Sequence, residues 1–230
     1  GEPHPHVDLL IGFIAKLKPD EVDIHGDLID FAYLYGGGGN GTKTKSKGNI
    51  AADFDLANSL LAKIRPHTKK LVVMEGNHDF RLRNVAIEQH PEIADGLVNL
   101  DRNLKHCDLV LTGWDDFYRN KYKICEHLTL MHGASHGAKH GLEHLKQVTG
   151  SVMYGHTHSI AIATEVRAGH PHCAFNIGCL CELNPSYMKG RIPNWTLGFA
   201  VVRVLPDQTF HVHQVYIIDG KFWFEGWLYE

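Results

Sequence analysis

The sequence predicts an α/β fold. Three observations carry this: amphipathic helical patterns alternate with short apolar runs in the first half, β-rich runs bounded by Gly or Pro dominate the second, and polar ligand-type residues directly follow several strands. The 230 residues are expected to form a single domain, 1–230, long enough to bury a core. Hydrophobic residues make up 43% and charged residues 21%, which excludes disordered, collagen-like and coiled-coil classes. A net charge of −3 is not that of a dedicated nucleic-acid coat, so a nucleic-acid role requires a local patch. No run approaches the roughly 18 apolar residues of a membrane span. The opening Gly1-Glu2-Pro3-His4-Pro5-His6 has no leader pattern, and the expectation is a cytoplasmic protein with no membrane partner.

Each element has its own local reason. Val7, Leu10, Ile11, Ile14 and Leu17 fall on one helical face, and Lys18-Pro19-Asp20 ends that helix. Val22 to His25 reads as a strand, Ile50 to Ile64 as a helix and Leu71 to Met74 as an apolar strand, the βαβ order of a parallel sheet. Between the first strand and the second helix, residues 36–48 are too rich in Gly and Lys to pack and read as a flexible surface loop. Leu128–Met131, Val152–Tyr154, Ile160–Thr164, Ala174–Ile177, Leu197–Val204 and Phe210–Ile218 read as strands. The five cysteines form no Cys-x-x-Cys pair and read as reduced, partly buried thiols, whereas 18 histidines are an excess that prompts a search for metal or acid–base chemistry.

That chemistry concentrates at strand ends. Gly26-Asp27-Leu28-Ile29-Asp30, Gly76-Asn77-His78-Asp79, His132-Gly133 and Gly155-His156-Thr157-His158 each follow a strand. In open α/β sheets, sites form outside the carboxyl ends of strands, so Asp27, Asn77, His132, His156 and His158 are candidates to converge although they lie far apart in sequence. Carboxylate, amide oxygen and imidazole together suit Mn²⁺, Fe or Zn²⁺ better than Ca²⁺ or Mg²⁺. Two such ions roughly 3.5–4 Å apart supply a hydroxide nucleophile and a clamp on phosphoryl oxygens.

Gly-Asp-x-x-Asp, Gly-Asn-His-Asp, a lone strand-end His and Gly-His-x-His, in that order and followed by Asn176-Ile177-Gly178, resemble the calcineurin-like metallophosphoesterase superfamily over nearly the whole chain. The resemblance implies a four-layer α/β/β/α sandwich and an enzyme that hydrolyses a phosphoester, with a phosphodiester favoured over a monoester and a nucleotide or nucleic acid among the candidate substrates. By position, Asp27 resembles the ligand bridging two metals, Asn77, His132 and His156 ligands of the second metal, and His158 a ligand of the first. His78 resembles the site's acid, with Asp79 as the orienter of its imidazole. The implied cofactors are two divalent ions, Mn first, with Fe, Zn, Ni and Mg as alternatives. The protein Ser/Thr phosphatase branch is less similar, because the Tyr-Val-Asp-Arg-Gly continuation is lacking and Asp79 stands where that branch has Glu. The rival reading is a binding scaffold that keeps the fold without turnover.

The family's first motif, Asp-x-His, should precede Gly26 and does not. Three expectations stand side by side: a chain lacking its true N-terminus, substitution by His4 and His6, or recruitment of Asp23-x-His25 from the first strand, where Asp23, His25 and Asp27 alternate onto one face. The remaining polar residues have plainer readings. Asp30 reads as a structural hydrogen-bonder or cap. His136, His140 and His144 continue the four-residue spacing from His132 and read as a solvated helix face, and His170, His172, His211 and His213 as surface residues. Arg81 or Arg83 is placed to meet phosphate, Lys43, Lys45 and Lys47 to attract a polyanion, and residues 184–191 to form a cleft wall or an ordinary loop.

Overall fold

A computed structural model describes residues 5–35, 48–89, 100–111, 121–185 and 193–230. The Gly/Lys loop with Lys43, Lys45 and Lys47, His4, and most of the segment 184–191 lie outside the described residues. The chain is mixed α/β and its contacts divide it into two units, one of residues Ile14–Leu111 and one of Thr112–Glu230 together with Pro3–Phe13.

The first unit is built on a three-stranded parallel sheet. Helix α1 (Pro5–Leu17) leads into strand β1 (Glu21–Ile24), which pairs with β2 (Lys70–Met74), and β2 pairs with β3 (Asp108–Val110). Helix α2 (Ile50–Ile64) makes the crossover from β1 to β2, as a parallel pair requires. Asn49 caps it, its side-chain oxygen accepting from the Ala51 and Ala52 amides at 3.1 and 3.2 Å, and Phe54, Ala57, Leu61 and Ile64 form its buried face. Strand β2 is a continuous apolar run with Leu71, Val72, Val73 and Met74 all buried, the signature of a strand covered on both faces. Helix α3 (Asn77–Gln89) starts two residues beyond β2, and α4 (Leu100–Asn103) precedes β3.

The second unit holds a five-stranded mixed sheet of order β4-β5-β6-β8-β7. Its strands are β4 (Lys121–Cys125), β5 (Leu128–Met131), β6 (Ser151–Tyr154), β7 (Ile160–Arg167) and β8 (His170–Ile177), with β5, β6 and β8 mutually parallel in the middle. The central β5 and β6 are buried at every position, whereas edge β7 alternates in burial, as strand geometry demands of a half-covered edge. Helix α5 (His140–Leu145) lies on this sheet, where Leu145, Met131, Val152, Tyr154 and Ala174 form one core cluster. Two antiparallel pairs complete the unit: β9 (Gly198–Val204) with β10 (Phe210–Tyr216), and β11 (Phe222–Phe224) with β12 (Trp227–Tyr229). Phe13 anchors here against the rings of Phe199, Phe222, Phe224 and Tyr229 at 5.0–5.5 Å between centroids. Aromatic pairs of this kind add about 0.5–1.5 kcal/mol each beyond area burial.

The expected elements recur with shifted ends. β7 and β8 run longer than the sequence pattern indicates, because their antiparallel register from Ile160–Ile177 to Arg167–His170 stabilises polar residues that carry no strand signal of their own. The helix face expected for His136, His140 and His144 is corrected. His132 follows strand β5, Gly133 then turns with φ of +106°, and only His140–Leu145 is helical. Among the described residues no helix is long and apolar enough to cross a membrane.

Candidate functional site

In the first unit the Gly26–Asp30 turn and the start of α3 interlock through backbone amides. The Asp79 carboxylate, 2% exposed, accepts from Asp27 N at 2.7 Å, Gly76 N at 2.9 Å and Ile29 N at 2.9 Å. In return, Asp27 Oδ1 accepts from His78 N at 2.8 Å. This reciprocal clamp holds Asp27 at φ of +56°, a left-handed conformation that Asp tolerates better than most residues because its short side chain bonds locally. Gly76 is required by the same contact: a Cβ there would stand 2.3 Å from both Asp27 N and Asp27 Oδ1.

Asp79 therefore does not orient His78. Asp30 does: its carboxylate is hydrogen-bonded to His78 Nδ1, and the Arg81 guanidinium reaches His78 Nε2 at 2.9 Å and Asp30 at 2.9 and 3.0 Å. Because Arg only donates, His78 Nε2 accepts and the proton sits on Nδ1, facing Asp30. The hydrogen bond with His78, aided by the Arg81 guanidinium, outweighs partial burial and holds the Asp30 carboxyl below its usual range. Of the two arginines considered for phosphate, Arg81 stands at this cluster, whereas Arg83 bonds the buried Glu75 at 2.7 Å and serves the core.

In the second unit, imidazoles converge at the ends of the parallel strands β5 and β6. His132, 2% exposed, follows β5, and its Nε2 lies 3.1 Å from His156 Nδ1; His156 Nε2 lies 2.7 Å from Nε2 of the exposed His136. Gly155 N donates to His132 O at 3.0 Å, tying the two strand ends together. His156 and His158 both take positive φ, 62° and 59°, a strained choice for two histidines in one turn. The turn is braced by fully buried Asn176, whose amide nitrogen donates to Thr157 and, at 2.8 Å, to Ser159. That is the structural work of Asn176 in the Asn-Ile-Gly segment.

His140 and His144 are not a solvated face. His144 is fully buried, packs on the Tyr154 ring at 4.1 Å and accepts at Nε2 from the Ala134 and Ser135 amides at 2.9 and 3.3 Å. Burial lowers its pKa to about 4. His140 is hydrogen-bonded to the Tyr154 hydroxyl at 2.6 Å, and burial lowers its pKa too. His170, His211 and His213 are exposed and His172 half-buried.

Of the residues considered as substitutes for an Asp-x-His motif, His6 and Asp23 have environments that do not favour metal binding. His6, 4% exposed, is hydrogen-bonded through Nε2 to the Leu180 carbonyl at 3.0 Å. Asp23 sits on β1 opposite Val72, and burial, reinforced by Glu21, raises its pKa to about 8, which favours a protonated carboxyl over a metal ligand.

Two cysteines that sequence reading took for passive thiols join the second unit's cluster. A ring nitrogen of His158 and the sulfurs of Cys179 and Cys181 lie within 4.8 Å of one another, with Cys181 Sγ 3.9 Å from His158 Nδ1. A hydrogen bond from Cys179 favours the Cys181 thiolate and holds Cys179 protonated. The sequence signal was the Cys-x-Cys spacing, but it names no partner, and His158 arrives from 21 residues upstream of Cys179 only through the β7–β8 hairpin. No protein-family profile matches the chain, and no curated protein matches it at a significant level.

Proposed function

We propose that the chain is a metal-dependent phosphoesterase, acting on a phosphodiester in preference to a monoester, within a four-layer α/β/β/α sandwich. The observation that carries this reading is the Asp30–His78–Arg81 cluster at the first turn of α3, beside the clamped carboxylate of Asp27. An imidazole whose Nδ1 is held by a carboxylate is suited to taking up a proton at Nε2 and passing it to a leaving alkoxide, the flanking guanidinium is suited to receiving phosphoryl oxygens, and the helix N-terminus adds favourable amide dipoles.

The donor set fits divalent ions. His132 and His156 bring ring nitrogens to within 3.1 Å at two braced strand ends, with little reorganisation left to make. Divalent ions, Mn²⁺ first, would draw on Asp27 and Asn77 in one unit and on His132, His156 and His158 in the other, and the order of the four motifs along the chain supports this reading. When bound, they supply an activated water and neutralise phosphoryl charge. The protein's own residues would then divide the work. Asp79 and Gly76 fix where Asp27 points; Asp30 fixes the tautomer and angle of His78; Arg81 offers a planar donor pair to phosphate oxygens and keeps His78 Nε2 engaged until substrate displaces it.

The test is hydrolysis of a chromogenic phosphodiester by the full chain with Mn²⁺, alongside calorimetric Mn²⁺ titration. His78→Ala is expected to lower turnover by roughly 10²–10⁴-fold while Mn²⁺ binding is retained. Absence of any Mn²⁺-dependent hydrolysis, or turnover indifferent to His78→Ala, would replace this reading with that of a binding scaffold.

A further inference from the structure

We propose that His158, Cys179 and Cys181 form a second kind of metal site, a thiolate–imidazole site for a soft divalent ion such as Zn²⁺. The three ligand atoms already lie within 4.8 Å of one another, close to the span of a tetrahedral site whose metal–sulfur bonds are about 2.3 Å and metal–nitrogen bonds about 2.0 Å. Thiolate ligands select such ions over Mn²⁺ or Mg²⁺, so the site differs in chemistry from the carboxylate, amide and imidazole set above.

The backbone around the cluster is built to hold it. Thr196 serves as a common post: its N donates to His158 O at 2.7 Å, and its O accepts from Cys179 N at 3.0 Å. Gly198 N donates back to Cys179 O at 3.0 Å, completing a bridge between residues 179 and 197. Gly178 makes the approach feasible, since with φ of +80° a Cβ there would stand 2.6 Å from Thr196 O. The Trp195 ring packs edge-on against His158 at 4.4 Å and restrains its imidazole. Both ligand-bearing loops are thus tied to the same segment. Three protein ligands leave the fourth tetrahedral position for water or an exogenous ligand, and Cys181 is exposed on that cluster.

This inference stands on the sulfur geometry and does not require the phosphoesterase reading, although both use His158. The experiment is titration of the reduced, metal-free full chain with Co²⁺, read by sulfur-to-cobalt charge-transfer absorption, a signature that imidazole and carboxylate sites do not give. The expected result is a charge-transfer band that saturates at one equivalent, weakens in Cys181→Ser, is abolished by Cys179→Ser with Cys181→Ser, and survives Cys173→Ser. His158→Ala is expected to weaken the band's apparent affinity by roughly tenfold or more. Cys181 is exposed, so its serine variant keeps the fold and makes the reading independent of the more enclosed Cys179. A wild-type chain without the band, or a band undiminished in Cys181→Ser, would overturn the site. Failure of Mn²⁺-dependent hydrolysis with the band intact would sink only the phosphoesterase reading.

Discussion

Replacing Asp79 with Ala is expected to destabilise the fold by about 3 kcal/mol. The carboxylate is 2% exposed and accepts three backbone N–H donors, from Asp27, Ile29 and Gly76, at 2.7–2.9 Å. A buried donor left without an acceptor costs about 1–3 kcal/mol, and bonds to a charged group lie at the upper end. Ile29 and Gly76 are themselves buried, so two of the three donors have no route to water, whereas Asp27 is half-buried and can be rehydrated in part. Two orphaned donors at about 1.5 kcal/mol each give the figure. The turn carrying Asp27 also loses the contact that offsets its left-handed φ, so Mn²⁺ affinity should fall alongside stability. The assay is urea unfolding of wild type, Asp79→Ala and Asp79→Asn, followed by far-ultraviolet circular dichroism. Asp79→Asn keeps the size and one carbonyl oxygen but turns the other acceptor into a donor facing an amide, so it should recover little of the loss. A loss below about 1 kcal/mol in Asp79→Ala, with Mn²⁺ binding unchanged, would refute the clamp as the organiser of the turn.

Two further expectations concern pH and have opposite signs. For Asp23 the folded pKa, about 8, lies above the ordinary 3.8, so the proton is bound more tightly in the folded state and stability drains away as pH rises from about 4 to about 8. Asp23→Asn should therefore gain on wild type through that window and match it below pH 4, as read from urea midpoints across pH; a constant offset at all pH values would contradict the reading. For His144 the folded pKa, about 4, lies below 6.5, so stability is complete above 6.5 and falls as the pH drops towards 4, by up to about 3 kcal/mol. His144→Gln should flatten that acid limb in the same measurement, and an unchanged limb would assign acid loss to other histidines.

Local patterns alone determined a good part of this protein. The spacing of Val7, Leu10, Ile11, Ile14 and Leu17 implies α1, the apolar run at Leu71–Met74 implies a strand covered on both faces, and helix Ile50–Ile64 coincides with its sequence reading. These are legible because helix and strand periods are set by residues only a few positions apart. The strand-end turns that carry the candidate ligands were legible for a related reason: an apolar run followed by Gly and polar residues marks where a strand leaves its sheet.

What the tertiary structure decided is who partners whom. Asp30 was read as a cap and Asp79 as the orienter of His78, yet Asp30 reaches the imidazole from 48 positions away and Asp79 serves backbone amides instead. His136, His140 and His144 share a spacing that suggests one helical stripe, but His132 terminates a strand, so the spacing never becomes a face; one of the three meets His156, one Tyr154, and one is sealed in the core. Cys179 and Cys181 carried no readable role until the β7–β8 hairpin and the Thr196 post brought His158 to them. Side-chain partnerships of this kind depend on loop closure and sheet register over tens of residues, where the energy of any one contact is small against the chain entropy that the whole fold must overcome. No short window of sequence contains that sum.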